Sequence, residues 1–142
     1  MHPLIPISVD EGITFHIPDT WVKEVGDQGE YAFISGDGSI FMTAMFMGLD
    51  ATDDTPLAEM LQQATDGITE AADFVAPPIN HANYVARHIA VQGQNMLFAM
   101  TDGIVQHLRV IANLFFKTQS PTAFEENRAL MEEIISRVEI KG

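Results

Sequence analysis

The residues able to do chemistry in this chain are its five histidines, its 20 carboxylates and its eight methionines. Cysteine is absent, which removes thiolate catalysis, thiolate metal sites and disulfides together. His2, His16, His81, His88 and His107 are scattered along the sequence. A transition-metal site needs three or four converging ligands. His88 and His107 could meet only across neighbouring strands, and no local spacing joins them. Asp50, Asp53 and Asp54 lack the alternating ligand pattern and the distal glutamate of a calcium loop, so they read as a solvated linker ahead of a helix. Gly36-Asp37-Gly38 lies between two predicted strands and reads as a hairpin turn, not a phosphate cradle. With no nucleophile elbow or paired-histidine helix, the sequence predicts no catalytic residue, no metal site and no cofactor.

Methionine is the more informative excess. Met42, Met45 and Met47 fall in one predicted strand, and Met96 and Met100 in another. Flexible, polarisable thioethers fill irregular cores, and they also suit surfaces that accept varied apolar partners, so both readings stand. The segment Ile40–Leu49 favours a surface, because it is apolar on both alternating faces. Phe41, Met45 and Met47 point one way, and Ile40, Met42 and Phe46 the other. Such a strand needs cover on both sides, and uncovered apolar area often marks a protein interface. In the last predicted strand His107, Arg109 and Asn113 share a face with Phe115, and arginine beside an aromatic ring is a common interface combination. The candidate protein-binding residues are therefore Met42, Met45, Met47, Arg109, Asn113 and Phe115.

The elements that must position them follow from periodicity. Ile13, Phe15 and Ile17 alternate with polar residues in a strand stopped by Pro18-Asp19. Trp21–Val25 follows, then a Gly26–Gly29 turn. Tyr31–Ile34 and Ile40–Leu49 make a hairpin about Gly36–Gly38. After the acidic linker, Thr55 reads as an N-cap with Pro56 at the first helical position. Leu57, Met60, Leu61, Ala64 and Ile68 form one helical stripe, and Ala76-Pro77-Pro78 closes the connection. Tyr84–Val91, Met96–Thr101 and His107–Phe116 read as a meander with turns at Gln92–Asn95 and Asp102-Gly103. Ser120-Pro121 repeats the cap-plus-proline device before a final helix. Its first turn is expected to carry Glu125 and Glu126, where the helix dipole favours them. The pattern predicts one α+β domain over residues 1–142: an antiparallel sheet of about six strands flanked by helices.

Bulk composition narrows the partner. Seven Lys and Arg stand against 20 Asp and Glu, a formal net charge of -13. No basic footprint can be assembled for nucleic acid, and anionic membranes are disfavoured for the same reason. No window approaches the roughly 18 apolar residues of a membrane-spanning helix. Residues 1–7 lack a basic leader region, so the chain is expected in the cytoplasm, or in a periplasm if a leader has been removed.

The stretch Ile13-Thr14-Phe15-His16-Ile17-Pro18-Asp19-Thr20-Trp21 resembles the opening of the PsbP-like fold, including DcrB-like bacterial proteins. The hairpin, the helix after an acidic break, the meander and the closing Met131–Ile140 segment are similar too, so the resemblance spans most of the chain. It implies an α/β/α sandwich in which Pro18 ends a strand and Trp21 plugs the sheet edge. It also implies a non-enzymatic binding protein. Relatives assist photosystem assembly, bind a small GTPase, or act as homodimeric chaperones that shield apolar segments of type VI secretion effectors.

The leading expectation is thus a protein-binding domain, a chaperone or adaptor for a secreted effector with apolar segments, working as a homodimer. An immunity-type inhibitor that meets the basic surface of a toxin, and a small-molecule-binding protein, are the alternatives. Salt separates the first two, because a charged interface weakens in salt and an apolar one does not.

Overall fold

The protein is described by a computed structural model covering residues 3–27 and 30–142; His2 and the Gly29 end of the Gly26–Gly29 turn lie outside the described residues. In chain order the elements are β1 (Leu4–Asp10), β2 (Ile13–Pro18), β3 (Val22–Val25), β4 (Tyr31–Ile34), β5 (Ile40–Asp50), α1 (Leu57–Thr69), β6 (Phe74–Val75), β7 (Ile79–Asn80), β8 (Val85–Val91), β9 (Gln94–Val105), β10 (Leu108–Thr118), α2 (Pro121–Ser136) and β11 (Glu139–Ile140).

The strands form two sheets. The larger has eight strands in the order β3-β4-β5-β10-β9-β8-β6, with β7 also on β8; the smaller is β1-β2-β11. Every strand pair is antiparallel. The α+β class with helices beside an antiparallel sheet is as expected, but a single sheet of about six strands is corrected to eight strands plus a second sheet of three. β1 escapes the sequence reading because Pro3 and Pro6 obscure it. As an edge strand it needs hydrogen bonds on one side only, so Pro6 is tolerated opposite His16.

Successive side chains alternate between the faces of the large sheet, and each face has its own core. On one face Met42, Ala44, Leu97, Ala99, Leu114 and Phe116 pack with Phe124, Met131, Ile134 and Ile135 of α2 and with Phe15 and Ile17 of the small sheet. On the other, Val85, Met100 and Ile111 pack beneath Leu61 of α1. The helices therefore lie on opposite faces, α1 against β8 and β9, and α2 against β9 and β10.

The helix starts separate two similar sequences. At α2 the Ser120 hydroxyl accepts from the Ala123 amide at 3.1 Å with Pro121 behind it, as predicted. At α1 Thr55 does not cap. Asp53 takes both its amide at 3.0 Å and its hydroxyl at 2.7 Å, and Pro56 stands in the capping position. Because α2 begins at Pro121, Glu125 and Glu126 fall beyond its first turn, which carries no acid.

The meander also differs at one end. β9 runs on through Asp102-Gly103, and the turn falls at Gln106 and His107, with φ of 50° and 69°. Positive φ at both central residues matches the twist of a two-residue hairpin, even without glycine. Gly103 answers a different need, since a side chain there would run into the Ile140 carbonyl of β11.

Candidate functional site

The expected surface forms where β5, β10 and β9 lie side by side on the α1 face. In register, Phe41 stands opposite Lys117, Thr43 opposite Phe115, Met45 opposite Asn113 and Met47 opposite Ile111. Phe115 in turn faces Phe98 of β9, with ring centroids 5.0 Å apart. α1 lies mainly over β8 and β9, reaching Ile111 of β10 and, at one end, the cluster that holds Leu49 of β5. Beyond it Phe41 is 39%, Met45 57% and Met47 41% exposed, while Phe98, Asn113 and Phe115 are half-buried. A depression of about 210 Å³ opens at the boundary, between Leu61 and Ala64 of α1 on one side and Met45, Asn113 and Phe115 on the other.

Of the six candidates, Met45, Asn113 and Phe115 meet at this depression, and Met47 lies next along the same strand face. Met42 does not join them. It points to the opposite face and is fully enclosed in the α2 core, so it cannot touch a partner. Arg109 is corrected as well, from surface to strut. It is 9% exposed; its Nε donates to Asp102 at 2.8 Å, and its Nη1 donates to the carbonyls of Asp53 at 3.1 Å and Thr55 at 2.8 Å. It ties the acidic linker, and hence the start of α1, to the sheet.

Apart from the Arg109 ion pairs, no titratable groups among the described residues gather at this face, and the described histidines lie elsewhere. His88 lies on the α2 side of β8, stacked on Phe124 at 3.9 Å with Nε2 2.8 Å from Asn95 Oδ1, whereas His107 sits in the β9–β10 turn. The two therefore do not meet. Asp50 and Asp53 each bind the threonine two residues on, Thr52 and Thr55, and those bonds hold both carboxyls below the ordinary carboxylate range. Among the described residues no group of three or more His, Asp or Glu could hold a metal ion. No helix among the described residues is long and apolar enough to cross a membrane. What this face can present is an adaptable apolar surface with polar groups at Thr43, Asn113 and Lys117.

A second concavity had no local sequence signal, because three remote segments build it. The Pro18–Trp21 connection, the β4–β5 turn and one face of α2 enclose a groove of about 760 Å³. Trp21 is half-buried on its wall and rests against the α2 core. In the turn, Ser35 Oγ (2.9 Å), Ser39 N (3.0 Å) and Ser39 Oγ (2.7 Å) all donate to Asp37 Oδ1. These bonds, led by the Ser39 amide, hold the Asp37 carboxyl at about 2.

Comparison with known proteins places the fold. No family model and no curated protein sequence matches the chain. Among solved structures it is similar to the Ran-binding protein Mog1p of Saccharomyces cerevisiae, with a TM-score of 0.65 and 11% identity over 99% of this chain and 96% of that one. A point mutant of Mog1 gives a TM-score of 0.61 at 10% identity, covering 96% of this chain and 95% of that one. A protein from Bacteroides thetaiotaomicron gives 0.59 at 10%, over 99% of this chain but 49% of its own length. The chain has the Mog1p fold. At such identity a shared fold does not carry function across.

Proposed function

We propose that this chain is a non-enzymatic protein-binding domain of the PsbP-like and DcrB-like kind, which holds an apolar helical segment of a partner on the open half of its large sheet. The observation that carries this reading is the exposure of Phe41, Met45 and Met47 beside a helix that covers only half the face. From β9 to β5 is two strand spacings, about 10 Å, which is one helix diameter. A helix laid over β5 and β10 would sit beside α1 and complete its layer, seating an apolar side chain in the 210 Å³ depression. The fold supports the reading to the extent that Mog1p is itself described as Ran-binding. In the finer form the partner is a secreted effector whose apolar segment is shielded by a cytoplasmic, homodimeric chaperone.

The test is capture from native cells at low and high salt, with the wild-type chain and a Met45→Asp/Met47→Asp variant side by side. The expected result is a partner with an apolar helical segment that survives high salt and is lost from the variant. Equal capture by both chains would overturn the reading, and a basic partner released by salt would replace it with the inhibitor alternative.

A further inference from the structure

From the Trp21 groove we infer a second binding site, independent of the open sheet face, for a cationic side chain of an extended basic peptide segment. At about 760 Å³ the groove is within the roughly 300–1,000 Å³ range of ligand pockets. Its wall carries the Trp21 indole, and its rim carries the carboxylates of Asp37, Glu126 and Glu133; no lysine or arginine lines it.

The three carboxylates differ in how free they are. The three hydrogen bonds to Asp37 from Ser35 and Ser39 all go to Oδ1, which leaves Oδ2 turned from those donors, on a group held ionised down to about 2. Glu126 makes no ion pair or hydrogen bond among the described residues, while Glu133 shares its charge with Arg137 at 3.2 Å. Glu126 and Glu133 are seven residues apart, two turns along one helix face, so they form a row facing the turn that carries Asp37.

Charge complementarity decides the occupant. Carboxylates along a groove complement the charge of a basic chain, and an aromatic face nearby attracts a guanidinium or ammonium by its quadrupole. A net charge of -13 steers such a segment in. An anionic ligand is repelled by this rim, and a neutral one forgoes the charge attraction.

Trp21 is the only tryptophan in the chain, so its fluorescence reports on the groove directly. The full chain is titrated with a blocked pentapeptide carrying two arginines, with the same peptide carrying two glutamates, and with spermidine. A saturable fluorescence change is expected with the arginine peptide alone. It should weaken with salt and fall about tenfold in affinity in the Glu126→Gln variant, whose side chain supports nothing in the fold. Met45→Asp/Met47→Asp should leave it unchanged, so failure here is separable from failure at the sheet face. No change up to millimolar peptide, or equal affinity in Glu126→Gln, would overturn the site. Spermidine binding as tightly as the arginine peptide would overturn the peptide assignment in favour of a free polyamine.

Discussion

Arg109 reaches across the β9–β10 ladder to Asp102, with Nε 2.8 Å from the carboxylate, while its other arm holds the carbonyls of Asp53 and Thr55. One side chain thus fixes where α1 begins over the sheet, and so where the open half starts. Replacing it with Met keeps the bulk but leaves two carbonyls and a carboxylate without their donor. Asp102 is 34% exposed and can rehydrate, so the cost is set at about 2 kcal/mol and not at the full penalty of a buried ion. Denaturant titration of Arg109→Met should show a lower midpoint, and exchange of the hydrogen-bonded amides of Thr55, Glu59 and Met60 should quicken. An unchanged midpoint would mean that the strut contributes nothing.

Met42 and Met45 lie in one strand and should respond oppositely to truncation. Met42→Ala empties a site in the α2 core and is expected to cost about 2–5 kcal/mol. Met45→Ala removes a largely solvated side chain and should change stability by no more than about 0.5 kcal/mol. Thermal melts of the two variants decide it. Similar losses in both would show that Met45 is also enclosed, and the open face would disappear with it.

Acid should act through Asp37. Its carboxyl lies at about 2 in the folded chain against an ordinary 3.8, so the folded state binds this proton less readily than the unfolded state does. The contribution is fully present above the ordinary value and is lost as pH falls through about 2. Asp50, Asp53 and Glu139 are lowered too and add with the same sign. Urea midpoints at about pH 5 and about pH 2.5 should therefore fall less steeply in Asp37→Asn than in the wild type. A parallel decline would assign the acid sensitivity to the other three.

The sequence reveals strand parity well and cover badly. Alternation correctly separates Phe41, Met45 and Met47 from Ile40 and Met42, because side-chain direction in a strand is a local property. Which face remains open depends on α1 lying over β8 and β9, a placement fixed by tertiary packing that no window around residue 45 contains. Asp102-Gly103 has hairpin chemistry, yet that glycine makes room for β11 and the β9–β10 turn lies at Gln106 and His107. Arg109 looked like an interface residue because its partners, Asp53 and Thr55, lie more than 50 residues earlier. The Trp21 groove is invisible for the same reason.

The central position of β10 has a consequence during synthesis. All of β5, from Ile40 to Asp50, pairs along β10, which emerges from the ribosome only after residue 107. Until then β5 has no β10 to pair with, and its methionine-bearing apolar residues are without their neighbours in the sheet. An unpaired strand of that kind invites pairing with another chain. The interval between the appearance of β5 and that of β10 is the point of greatest exposure to mispairing, and slow translation through residues 51–107 should lower the yield of soluble protein.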